Sequence, residues 1–170
     1  MKLFLTSIAA AFALVLSVQA ETTAKISDVH LCCDSCVKGV QKAIATVPGV
    51  TAVADKDSST ITLTGPDKAA VQKGADALTG AGYFGSSSDV TIDASTGAKN
   101  VKMQTLTINN THICCGKCVK AIDKAVKSVP GVTSQNAAKG NTSFTVTGDF
   151  NDKEVFDALQ KTGLTGKEGN

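Results

Sequence analysis

Every cysteine and histidine of the chain falls in one of two short stretches with the pattern H-x-C-C-x-x-C. The first holds His30, Cys32, Cys33 and Cys36; the second holds His112, Cys114, Cys115 and Cys118. Thiolate sulfur is a soft donor and imidazole a borderline one, so the set suits Cu(I), Zn(II) and other soft ions, not Ca(II) or Mg(II). Residues i and i+2 of an extended segment share a side. His30 with Cys32, and His112 with Cys114, therefore face one way, while Leu31 and Ile113 face a core. The last cysteine of each motif falls in the first turn of a helix, where free N–H groups and the helix dipole favour thiolate. The resulting expectation is one Cys₃His centre per stretch, about one ion in each. With the histidine the set closes around Zn(II); two or three thiolates suffice for Cu(I). A histidine at a strand end is also a common surface residue, and only its recurrence in both stretches favours ligation. Asp34 lies inside the first motif and Lys117 inside the second, which predicts the more acidic thiols in the second.

Rival chemistries have less to stand on. A thiol-disulfide redox protein using the CxxC pairs is the main alternative. Three cysteines per stretch leave one unpaired in any closed framework, and the chain has no Trp to precede a CxxC. Two histidines, no nucleophile elbow and no phosphate-binding glycine loop leave no hydrolytic or transfer chemistry, so no enzyme is expected. All basic residues are Lys, the formal net charge is +2 and aromatics are 4%. Neither the basic patch nor the stacking residues of a nucleic-acid binder are visible.

The elements around the motifs repeat as well. From His30 to Val50 and from His112 to Val132 the chain aligns without a gap, with about twelve of roughly twenty-one positions identical. An extended segment leads into each motif, over residues 25–31 and 101–113. Val37, Val40, Ile44 and Val47 then recur at helical spacing, as do Val119, Ile122, Val126 and Val129. Pro48-Gly49 and Pro130-Gly131 stop these helices. Alternating strands are predicted at 60–64 and 142–147, each preceded by a weaker strand. Second helices follow at 67–79 and 151–161, ended by Gly82 and Gly163. The order is β-α-β-β-α-β twice: an α+β chain of two tandem ferredoxin-like domains. They are expected at 21–93 and 101–170, with a linker at 94–100. Val90-Thr91-Ile92 and the strand from Val101 could pair across that linker and fix the units' orientation.

Residues 1–20 read as a secretory leader. Lys2 precedes an apolar run, and Val18-Gln19-Ala20 offers small residues to a signal peptidase. The expected location is exported, periplasmic or secreted. No later segment is apolar enough to span a bilayer, so no stable membrane insertion is expected after cleavage.

The CxxC between first strand and first helix, with V-P-G-V ending that helix, resembles the heavy-metal-associated domain. The resemblance covers both repeats. It implies the ferredoxin-like fold and metal binding by Cys33 and Cys36, and by Cys115 and Cys118. It also implies that the partner is a metal ion, with a metal transporter or another metal-binding protein receiving it. The family's usual motif is G-M-T-C-x-x-C. Leu31 and Ile113 stand at the Met, His30 and His112 at the Gly, and Cys32 and Cys114 at the Thr. The departure adds ligands. The family also places a Tyr or Lys near the metal after the second helix; Tyr83 matches it, and Leu164 stands there in the second repeat.

Overall fold

The computed structural model describes residues 20–169. All but the last residue of the expected leader lies outside the described residues. Among those described, no helix is long and apolar enough to cross a membrane.

The first unit runs β1 (Thr22–Ile26), α1 (Asp34–Ile44), β2 (Thr51–Asp55), β3 (Thr60–Gly65) and α2 (Lys68–Gly80). The second runs β4 (Lys102–Asn109), α3 (Gly116–Lys127), β5 (Val132–Gln135), β6 (Phe144–Asn151), α4 (Asp152–Gln160) and β7 (Lys167–Glu168). Its antiparallel sheet has the order β5-β6-β4-β7, the complete ferredoxin-like arrangement. The first sheet has the order β1-β3-β2.

The helices follow the apolar spacing. Cys36, Val40 and Ile44 are buried on α1, and Cys118, Ile122, Ala125 and Val126 on α3. They pack on the inward residues of the sheets, among them Ile61 and Leu63 in the first and Phe144 and Val146 in the second. After each proline, Gly49 and Gly131 take positive φ of 75° and 87°, the left-handed conformation that ends the segment at little cost only for glycine. The α2 and α4 termini are capped by Asp67, which accepts from the Ala70 N–H at 2.7 Å, and by Asn151, which accepts from Lys153 and Glu154. α1 and α3 begin differently. Their N-cap residues are Cys33 and Cys115, both extended and without a side-chain cap bond, so each helix start leaves its thiol free for other contacts.

The sequence allows a strand at 90–92 in the first unit, paired across the linker. It does not form. Its place beside β1 is held by one backbone bridge, Ser27 with Ser86, at 2.8 and 2.9 Å. Ser87 then turns the chain away, its hydroxyl accepting from the Asp89 and Val90 N–H groups. The first strand is also shorter than expected and lies earlier, ending at Ile26 rather than Leu31.

The linker runs along the second unit instead. Glu168 N–H donates to the Thr96 carbonyl at 2.7 Å, and Gln160 Nε2 to that of Ala94 at 3.0 Å. The buried carboxylate of Asp152 accepts from the Lys99 and Val101 N–H groups at 2.7 and 2.8 Å.

The two units meet about a pseudo-two-fold axis. Tyr83 and Leu164, the residues following the two helix-ending glycines, form an antiparallel bridge. Thr165 N–H donates to the Gly82 carbonyl at 3.0 Å, and Phe84 N–H to that of Gly163 at 3.1 Å. Both glycines have positive φ, and a Cβ on Gly82 would run into the backbone around His112, as one on Gly163 would into the backbone around His30. The glycine after each second helix thus seats the motif of the opposite unit.

Candidate metal centre

The extended segments before α1 and α3 carry the alternation that the spacing implies. Val29 and Leu31 are buried in the first unit, as are Thr111 and Ile113 in the second. His30, Cys32, His112 and Cys114 lie on the other side and are half-buried. Cys33 and Cys115 cap the helices, and Cys36 and Cys118 are fully buried in their first turns.

The pseudo-symmetry brings both motifs to the same place. Cys32 Sγ lies 3.4 Å from Cys115 Sγ and 3.7 Å from Cys118 Sγ. Cys114 Sγ lies 3.5 Å from Cys36 Sγ and 3.6 Å from Cys33 Sγ. Within the units, Cys33–Cys36 and Cys115–Cys118 are both 3.8 Å apart; Cys32–Cys36 and Cys114–Cys118 are 3.6 and 3.7 Å. All six cysteines are free thiols. The expectation of two separate Cys₃His centres, each built within its own repeat, is therefore corrected: the thiols form one continuous cluster at the unit boundary. The larger of two sets containing a histidine joins Cys36 of the first unit to His112, Cys114 and Cys118 of the second, with one donor atom of each within 4.8 Å of the others.

The histidines differ. His112 stacks on Tyr83, ring centroids 4.5 Å apart, and its Nε2 lies 3.2 Å from the Tyr83 hydroxyl. That hydroxyl donates to the Cys36 carbonyl at 2.7 Å. Gly39 on α1 makes room, since a Cβ there would strike both rings. His30 faces Cys32 and Cys118. Its Nε2 is buried without a hydrogen-bond partner, and burial above all lowers its pKa, which keeps the ring in the neutral, ligating form.

Six thiols this close cannot all ionise independently. Cys36 is held well below the ordinary thiol range, chiefly by the neighbouring Cys118 thiol, with His112, Cys114 and Cys32 adding to it. Cys118 is pushed up by its neighbour Cys36 and by burial, and burial pushes up Cys32 and Cys114. Burial also raises Cys115, yet the N–H groups of Cys118 and Lys117 and the Cys32 thiol outweigh it and bring it to about 6. Lowered thiols occur in both motifs, Cys36 in the first and Cys115 in the second. The Asp34 carboxylate is paired with Lys56, and the Lys117 ammonium reaches the Cys32 carbonyl of the other unit at 3.4 Å.

Open cavities reach the cluster from two sides. One of about 570 Å³ is lined by Gly39, Tyr83, His112 and Cys114; another, of about 650 Å³, by His30, Cys32, Lys117 and Lys161. Sequence spacing singles out the eight residues that gather here. It carries no signal for which ones meet across the boundary, nor for Gly39.

The fold and site define a pair of α+β units closed on a shared set of soft donors. Residues 105–167, within the second unit, match the heavy-metal-associated domain family. Among solved structures, the chain is similar to the N-terminal domain of PacS from Synechocystis PCC6803, with 22% identity over 40% of this chain and 100% of that one, at a TM-score of 0.37. It is similar to the apo heavy-metal-associated domain of a copper chaperone for superoxide dismutase, with 22% identity over 45% and 78%, at 0.36. It is also similar to the N-terminal soluble domains of Bacillus subtilis CopA, with 17% identity over 89% and 96%, at 0.35. No curated protein matches the chain.

Proposed function

We propose that this chain is a non-enzymatic, exported protein that binds soft metal, Cu(I) or Zn(II), and buffers, scavenges or delivers it. The observation that carries this reading is the cluster of six free thiols with sulfur–sulfur separations of 3.4–3.8 Å. A metal–sulfur bond of about 2.3 Å sets ligand sulfurs about 3.8–4.0 Å apart in tetrahedral or trigonal geometry. The free chain thus holds its donors within a few tenths of an ångström of ligating positions. The unpartnered His30 Nε2 beside them supports the fit. The match of residues 105–167 to the heavy-metal-associated domain agrees with it.

The units are taken as residues 21–93 and 101–170, with residues 1–20 as the leader and a metal transporter or another metal-binding protein as the receiving partner. The test is native mass spectrometry of the reduced chain offered Cu(I) and Zn(II) in competition. Retained metal that is lost on alkylation of the thiols is the expected result. A chain that retains neither ion, but cycles reversibly between thiol and disulfide, would be the redox protein instead.

A further inference from the structure

The sulfur distances hold a pattern finer than a cluster. Cys33, Cys36 and Cys114 form a closed triangle with edges of 3.8, 3.5 and 3.6 Å. Cys115, Cys118 and Cys32 form its pseudo-symmetric mate, with edges of 3.8, 3.7 and 3.4 Å. In each triangle the pair comes from one unit and the third corner from the other. The edges that cross the boundary are shorter than the edge within the CxxC pair. The shortest recorded sulfur contact of Cys32 is to Cys115, and that of Cys114 is to Cys36.

We propose that the cluster is two crossed three-thiolate sites, each CxxC pair completed by the first cysteine of the other unit's Cys-Cys doublet. The proposal rests on the soft-metal reading above and assigns its ligands. Cu(I), which three thiolates satisfy, is the ion that fits each triangle. The physical cause is the docking. The glycines after α2 and α4 seat each motif against the opposite unit, and the alternation Leu31-Cys32 and Ile113-Cys114 turns the first doublet thiol away from its own core. A metal in either triangle therefore ties the two units together. Ions are bound only by the docked pair, and release requires the boundary to open.

Single substitutions in the intact chain test this, because Cys32 and Cys114 are half-buried and tolerate a smaller side chain. Cys114→Ser and Cys32→Ser, each checked against Cys→Ala at the same position, would be loaded with one equivalent of Cu(I). They would then be alkylated briefly and mapped by peptide mass spectrometry. Crossed sites predict that Cys114→Ser protects Cys32, Cys115 and Cys118 by about tenfold while Cys33 and Cys36 react. Cys32→Ser should protect Cys33, Cys36 and Cys114. Protection of Cys32, Cys33 and Cys36 in the Cys114→Ser chain, or equal protection of all remaining thiols, would overturn the crossing and leave soft-metal binding standing. An unsubstituted chain that retains Zn(II) but no Cu(I) would overturn the assignment of the triangles, and one that retains neither ion would overturn the functional reading itself.

Discussion

Gly39 shows how much a single residue can decide at this site. A glycine inside a helix ordinarily costs about 0.5–1 kcal/mol relative to alanine. Here a Cβ would strike the Tyr83 hydroxyl and the His112 ring. Gly39→Ala should therefore destabilise the chain, with the usual sign reversed. Gly80→Ala, at a helix position with open space around it, should be neutral or slightly stabilising. Urea unfolding of the two variants checks this, and a more stable Gly39→Ala would mean that the Tyr83–His112 stack gives way freely. Thr111 offers a second comparison, because the repeat supplies its control. Its hydroxyl is buried without a partner, and Val29 fills the equivalent place in the first unit. Thr111→Val should stabilise by about 1 kcal/mol, read from the same unfolding curves. The candidate residues are legible in the sequence, since type and spacing alone separate thiol and imidazole from everything else. Which thiols meet is not. The motif is local, and the 3.4 Å contact between Cys32 and Cys115 is made by docking.

At the scale of elements, the helices and most strands followed from apolar periodicity, and Pro-Gly marked their ends. The pairing that the sequence allows at 90–92 in the first unit does not form. Val90-Thr91-Ile92 has strand composition, but Ser87 caps the backbone just before it and the chain leaves the sheet after a single bridge. The departing segment is held elsewhere, and Asp152 is its anchor. Burial raises that carboxyl, but the N–H groups of Lys99, Val101 and Lys153 outweigh it and hold it below the ordinary value of 3.8. A carboxyl whose folded pKa lies below its unfolded one contributes stability that is present above the unfolded value and is lost as pH falls through the folded value. Asp152→Ala should cost about 2–4 kcal/mol near neutral pH, with two N–H groups losing a charged acceptor. The difference from the parent chain should shrink as acid protonates Asp152. A cost that stayed constant from pH 6 down into acid, measured by denaturation, would contradict the anchoring role.

The whole molecule is arranged around the axis between its units. Gly82 and Gly163 lie at equivalent places, each packed on the backbone of the opposite motif. Alanine at either would meet both a clash and a strained positive φ of 87° or 78°. Each change should loosen the docking and weaken metal retention at both triangles, although neither residue touches a donor side chain. The duplication in the sequence implies two similar units, but no rule of spacing says that they close face to face on their cysteines. The central claim is that six thiols from two units act together on soft metal. It is tested most directly by native mass spectrometry of the reduced chain at rising Cu(I), alongside one chain carrying Cys33→Ser and Cys36→Ser and another carrying Cys32→Ser. The account predicts that the parent retains Cu(I), and that the double change weakens the remaining site less than loss of Cys32 does, because Cys32 and not the first CxxC completes the second triangle. A parent that holds no Cu(I), or a second site indifferent to Cys32, would contradict it.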